Sequence, residues 1–222
     1  MRWGCHRTDF GGITMVDDSH CEVLFIQFAK APRPGFVKTR LLPILNARAA
    51  AELHSELLLK TCHTLCKSAL GAVELWVDHN AANPAFSDCL AMGIDQICLQ
   101  QGDDLGQRMA AALANGLLRH QVVILVGSDC PDIDTDYLLQ AVRALNTHDI
   151  VIGPAEDGGY VLIGLKQPSP LLFQGISWGS DQVYKQTLGV IAELGVSWHA
   201  LPPLRDIDRP PDLDYYRKQR GD

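Results

Sequence analysis

The stretch VVILVGSDCPDI, residues 122–133, restricts the fold more than any other part of the chain. Val122 to Val126 form an unbroken apolar run bounded by a Gly-Ser-Asp turn. A run without polar alternation suits a strand covered on both faces, as in a parallel sheet between helix layers. The turn delivers Asp129 and Asp132 on either side of Cys130 and Pro131. In open α/β sheets ligands collect beyond the carboxyl ends of such strands, which aims both carboxylates at a substrate position. A purely local reading is also open, in which Asp129 caps the following turn.

A second apolar run, VLFIQFA at 23–29, reads as the first strand and opens into KAPRPGFVKTRLLP. Pro and Gly break regular structure there, so Lys30, Arg33, Lys38 and Arg40 fall on a loop after a strand, where phosphate-binding loops sit. The segment fits neither the Walker pattern nor GxGxxG. With a net charge of −7 the chain lacks the clustered cations that nucleic-acid binding needs. A basic cluster in an acidic chain therefore marks an anion site, a solvated basic turn being the alternative.

The remaining chain alternates helix and strand patterns. Residues 46–70 have helical spacing through Leu53, Leu57, Leu58, Cys62 and Leu65, with Gly71 as terminator. AVELWVD (72–78) and IDQICLQ (94–100) read as strands around a short helix in NPAFSDCLAMG. Asp104 is placed to cap a helix carrying Leu105, Met109, Leu113 and Leu117 on one face. Gly102 offers close backbone approach to a ligand, and Arg108 either reaches an anion or is an exposed helix cation. Thr135 to Leu145 is helical, DIVIGP (149–154) is a strand, and Asp157-Gly158-Gly159 is hairpin chemistry that puts Asp157 on the rim shared with Asp129. Trp178 reads as exposed, to stack on a sugar or base or to pack. Ser180 caps a helix running to Leu194, VSWHAL is a last short strand, and Asp208 precedes a Pro-led terminal helix that it is placed to cap. The alternation implies a layered α/β domain with a largely parallel sheet.

Residues 1–20 are polar and aperiodic, a loose tail before one domain over 21–222, with Met15 the expected native start. Seven Cys without framework spacing, no secretory signal and no apolar run of membrane-spanning length point to a reducing cytoplasm. Cys62, His63 and Cys66 lack a second ligand pair for zinc, so the two Cys read as small hydrophobes on a buried helix face. Nothing in the chain specifies an oligomeric state.

Taken together, KAPRPGFVKTRL, QGDDLGQRM, GSDCPD, PAEDGGYVLIGL, ISWGS and DIDRPPDL resemble the signature blocks of small bacterial transferases in the nucleotide-diphospho-sugar transferase superfamily, including glycosyltransferases tied to arsenosugar biosynthesis. The resemblance runs from Val23 to Tyr216. It implies a GT-A-like three-layer α/β/α sandwich, a nucleotide-sugar donor, a small-molecule acceptor, and a divalent cation, Mg²⁺ or Mn²⁺. It places Asp129 as the metal carboxylate; because the chain has SDC rather than D-x-D, Asp206 of the DID block is the candidate second ligand, ahead of Asp132. Lys38 and Arg40 would clamp the diphosphate and Asp157 would deprotonate the acceptor, with Lys30, Gly102, Arg108, Ser128, Gly158, Gly159 and Trp178 as further contacts. KTRL and DIDRPPDL also resemble nucleotidyltransferases of the phospholactate guanylyltransferase kind, which release pyrophosphate. The incomplete D-x-D leaves a nucleotide-sugar binding protein without catalysis as a third reading.

Overall fold

All of VLFIQFA is buried, and its side chains alternate between two cores: Val23 and Phe25 belong to one, Leu24, Ile26 and Phe28 to the other. That division requires a covering layer on each face of the sheet. The computed structural model describes residues 22–78 and 82–221, so the expected tail at 1–20 and Met15 lie outside the described residues.

In chain order the elements are β1 (Val23–Ala29), α1 (Ala47–Ser68), β2 (Ala72–Val77), α2 (Pro84–Met92), β3 (Gln96–Leu99), α3 (Leu105–Leu117), β4 (Val122–Gly127), α4 (Thr135–Thr147), β5 (Ile150–Pro154), β6 (Tyr160–Leu165), α5 (Val183–Leu194), β7 (Trp198–Ala200) and α6 (Pro210–Arg220). The strands form a seven-stranded sheet in the order β3-β2-β1-β4-β6-β5-β7. Every pairing is parallel except those of β6, which runs against both β4 and β5. Helices α1, α2 and α4 cover one face, and α3 and α5 the other. The expected three-layer sandwich with a mostly parallel sheet is thus the observed fold, with the Asp157 turn forming the β5–β6 hairpin.

Local chemistry sets the element ends. Asn46 caps α1 by accepting from the Ala49 N–H, and Asp104 and Asp134 do the same for α3 and α4. Gly71 does not end α1, because Ala69 already closes it in the left-handed region at φ 53°. Gly71 instead lets the chain pass β1, since a Cβ there would lie 2.3 Å from the Val23 carbonyl oxygen. Ser180 is not the cap of α5 either. That helix begins at Val183, while the Ser180 hydroxyl donates to Ser177 O and accepts from the Gln182 N–H within the preceding turn. The start of α6 is held by Asp212, which accepts from the Arg209 and Asp208 N–H groups, leaving the Asp208 carboxylate for another partner. Cys62 is buried on α1 and Cys66 packs beside the same core, as expected for small hydrophobes. No helix among the described residues is long and apolar enough to cross a membrane.

One buried carboxylate lies away from the strand ends. Glu74 of β2 accepts from Trp76 Nε1 (2.9 Å), Gln96 Nε2 (2.7 Å) and Arg119 Nη1 (2.6 Å). Burial alone would raise its carboxyl, but these donors, Arg119 first, outweigh it and hold it below the ordinary 4.5. Glu74→Ala strands all three donors and should cost about 3 kcal/mol, the lower end for a buried pair because Arg119 is partly exposed. A depressed carboxyl stabilises the fold above its unfolded value and loses that contribution as pH falls through its folded one. The difference in urea midpoint between wild type and variant should therefore be largest at neutral pH and narrow as pH falls through the lowered value of Glu74.

Candidate active site

Three loops distant in sequence meet at the carboxyl ends of β1 and β4. After β1, Gly35 turns the chain at φ 82° and Lys38 adopts a left-handed conformation, φ 49°, before a single 3-10 turn at Thr39–Leu41. A non-glycine residue in that region stores strain that the surroundings must offset. The step sends the Lys38 side chain inward, 2% exposed, while Arg40 remains outside. At the end of β4, Ser128 donates its hydroxyl to Phe28 O (2.7 Å) and accepts from Gln27 Nε2 (2.9 Å), pinning β4 to β1. The next residue is Asp129.

Asp129 Oδ1 lies 2.6 Å from Lys38 Nζ and 3.4 Å from His54 Nδ1. Lys38 also donates to Ile207 O at 2.5 Å, and the Ile207 N–H donates to Asp129 O at 2.9 Å. Lys38, Asp129 and Ile207 thus close a knot between the loops. Oδ1 is enclosed, but the Asp129 side chain is 46% exposed, so its remaining surface faces the cleft. Burial pushes the Asp129 carboxyl up, but the Lys38 ammonium and His54 outweigh it and hold the group well below the usual carboxylate range.

Ile207 is buried between Asp206 and Asp208. Asp208 pairs with Arg40 Nη1, which is the partner that capping would have denied it. Asp206 borders a hollow of about 170 Å³ together with Asp129 and Asp157. Burial, and next the charge of Asp157, push the Asp206 carboxyl up to about 6. Asp157 is held by its own turn, where Oδ1 accepts from the Gly159 N–H at 2.8 Å. Gly158 has φ 92°, and a Cβ there would lie 2.2 Å from Asp181 O. The Tyr184 N–H donates to Gly158 O at 2.8 Å, tying the turn to α5.

The main cleft, about 590 Å³, opens above β1 and β4, with Asp129 and Ser128 at its base and Lys30, Arg40 and Arg108 on its walls. Of the residues expected from sequence, Lys38 lies at the base rather than at the surface, and Ser128 has its hydroxyl engaged within the fold. Gly102 stands behind the wall: at φ 136°, its carbonyl accepts from Arg108 Nε at 3.0 Å and supports that side chain. Gly159 borders the 170 Å³ hollow, with Gly158 behind it. Trp178 is half-buried rather than exposed, and borders a side pocket that shares Arg40 with the main cleft.

Four cleft residues escaped the sequence reading: His54, Asp78, Gln100 and Asp208. Asp78 and Gln100 each stand just past the end of a strand, as Asp129 does, but β2 carries Glu74 and β3 begins with Gln96, so neither strand shows the unbroken apolar run that marks Asp129. Asp78 accepts from the Ala31 N–H at 3.2 Å, and Gln100 donates to Trp76 O at 2.9 Å. His54 falls on the buried stripe of α1 with Leu57, Leu58 and Thr61, where spacing alone marks a core position. Its Nε2 lies 3.0 Å from Lys30 O, so it bridges the β1 loop and Asp129.

A divalent cation suits the oxygen chemistry of this corner. Among the described residues no three His, Cys, Asp or Glu side chains form a ready metal cage. Mg²⁺ is ordinarily held by one or two carboxylates with water and substrate phosphate completing the shell, so a full protein cage is not required. Asp129 and Asp206, bordering one hollow with the negative charge of Asp157 beside them, supply such a pair.

Residues 61–180, more than half of the chain, match the profile of a family described as uncharacterized proteins conserved in bacteria, DUF2064. The chain belongs to this family. The DUF2064 chain is 30% identical to a crystal structure from Desulfovibrio desulfuricans G20 provisionally assigned as a nucleotide-diphospho-sugar transferase, with a TM-score of 0.82 over 91% of this chain and 89% of that one. This places it in the nucleotide-diphospho-sugar transferase superfamily. Its fold is also similar to 4-diphosphocytidyl-2C-methyl-D-erythritol synthase from Anaerococcus prevotii DSM 20548 (TM-score 0.60, 10% identity, 91% and 100% coverage). A CMP:2-keto-3-deoxy-manno-octonic acid synthetase complexed with CTP gives a TM-score of 0.55 at 10% identity, covering 90% and 98% of the two chains. At that identity only the DUF2064 chain's fold is shared. No curated protein matches it significantly in sequence.

Proposed function

We propose that the protein transfers a sugar from a nucleotide-diphospho-sugar to a small acceptor, assisted by Mg²⁺ or Mn²⁺. The observation that supports this reading is the knot of Lys38, Asp129 and Ile207, which brings the basic loop, the carboxylate after β4 and the DID block to one cleft. The narrower resemblance, to transferases tied to arsenosugar biosynthesis, agrees with glycosyl transfer.

Each residue then has a task. Arg40, with one edge on Asp208, has further N–H donors for a diphosphate, and Arg108 and Lys30 add charge from the facing walls. Lys38 acts as a positioning residue: it fixes Asp129 Oδ1 so that the other oxygen faces the cleft. Asp129 and Asp206 would hold the cation, which when bound would supply charge neutralisation for the departing diphosphate. Asp157, bordering both the hollow and the side pocket, takes the acceptor hydroxyl proton.

Nucleotidyl transfer is the second reading. KTRL and DIDRPPDL, the blocks that resemble nucleotidyltransferases, touch each other through Lys38 with Ile207 and Arg40 with Asp208. A thermal-shift screen of UDP-, GDP-, CDP- and dTDP-sugars against free NTPs, with and without Mn²⁺, tests both. A ligand at a hundred times its Kd should raise the melting point by roughly 5–10 °C. Release of nucleoside diphosphate supports the first reading, and pyrophosphate release replaces it with the second. Binding without turnover would make the protein a nucleotide-sugar binder instead.

A further inference from the structure

The side pocket that shares Arg40 with the main cleft differs from it in chemistry. Its volume is about 230 Å³, and Phe28, Leu105, Met109, Tyr160, Trp178 and Val183 are among the apolar and aromatic residues of its wall. The aromatic part of that wall is built against backbone. Gly106 has no side chain where the Trp178 indole lies; a Cβ there would sit 2.8 Å from indole Nε1 and 2.7 Å from Phe173 O. Tyr160 meets Trp178 edge to face, ring centroids 6.4 Å apart at 85°. The adjoining wall is braced by the contact of Gly158 with Asp181 and by the Tyr184 N–H bond to Gly158 O. A wall held in this way needs no ordering when a ligand arrives.

The charged side chains that border the pocket are Arg40 and Asp157, and the Tyr160 hydroxyl is buried in its wall. Arg40 and Asp157 stand where it meets the rest of the site, while the Ser180 hydroxyl is engaged with Ser177 O and the Gln182 N–H. We infer that the pocket receives the acceptor, and that the acceptor is amphipathic: an apolar body, best a ring, against Trp178 and Met109, with a hydroxyl at Asp157. This rests on the transfer reading of the site. A polyol would leave hydroxyls unpaired on the apolar wall, each weakening binding roughly tenfold or more. In the transfer the acceptor oxygen bonds to the sugar's anomeric carbon and its proton passes to Asp157. The bond from that carbon to the diphosphate breaks, and its electron pair leaves with the nucleoside diphosphate.

Binding of two alcohol sets, measured by calorimetry on the full chain without nucleotide, tests the inference. One set is benzyl alcohol and cyclohexylmethanol, the other glycerol and myo-inositol. The apolar set should bind at least tenfold more tightly, and Trp178→Ala should remove that preference. Because loss of the indole also loosens its seat on Gly106, Leu105→Ser provides a second variant. Leu105 is 44% exposed, so its change leaves the core closed, and the preference should fall about fivefold. Equal or tighter binding of the polyols, or a preference unmoved by both substitutions, overturns the inference. Nucleotide-induced stabilisation together with polyol preference refutes the acceptor class alone. Apolar binding with no response to any nucleotide refutes the donor reading and leaves an apolar ligand pocket.

Discussion

Lys38→Met is expected to lower both stability and turnover, by about 2–3 kcal/mol and on the order of 100-fold. Methionine fills similar space but removes the ammonium that Asp129 Oδ1 and Ile207 O share. Half-exposure of Asp129 keeps the stability loss below that of a fully buried pair. The turnover loss follows from a carboxylate no longer fixed toward the cleft. The acid profile should change as well. In wild type the depressed Asp129 carboxyl adds stability above its ordinary 3.8 that is lost as pH falls through its lower folded value, and the variant should lack much of this acid-labile part. Lys38→Arg retains the charge without the compact geometry and should not restore turnover. Pairing Lys38→Met with Asp129→Leu should recover part of the stability and none of the activity. Denaturant midpoints and single-turnover rates for the four proteins of this cycle decide the matter.

Gly158→Ala should cost roughly 2–5 kcal/mol, combining strain at φ 92° with a methyl group placed 2.2 Å from Asp181 O. The colliding atom is backbone, so relief requires the hairpin turn or the start of α5 to shift, and Asp157 moves with the turn. Gly175→Ala isolates the two contributions: φ there is 71°, but a Cβ would meet nothing within 4 Å. It should cost only about 1–2 kcal/mol. Equal losses in the two variants, read as urea midpoints, would mean that the close approach of Gly158 to Asp181 carries no energy. Activity should fall with Gly158→Ala beyond what the unfolded fraction explains.

The fold was legible where burial forces a pattern. β1 and β4 are covered on both faces and show as apolar runs; the β5–β6 hairpin announced itself through Asp157-Gly158-Gly159. Strand order was not legible, because pairing partners are chosen by packing between distant segments. The acid half of the site was visible in Asp129, the first charge after a buried strand. The basic half misled in one respect: four cations on a Pro- and Gly-rich loop suggest exposure, yet the left-handed step at Lys38 turns one of them inside. Pro two residues after Asp208 predicts that Asp208 caps the helix, but Asp212 takes that task and frees Asp208 for Arg40. His54 was hidden by its own regularity, since it lies on the spacing that buries Leu57 and Leu58.

The reversed direction of β6 has a consequence for how such proteins diversify. A strand entering the sheet antiparallel between β4 and β5 begins at the edge where they end, so the Asp157 turn reaches the reaction corner without a crossover helix. The apolar pocket is consequently walled in large part by two short stretches, 157–162 and 178–183, whereas the cations of the main cleft come from earlier in the chain. Under the proposed transfer, exchange of those two stretches, with Asp157 kept, would redirect the protein toward new acceptors and leave the residues proposed to grip the donor as they are.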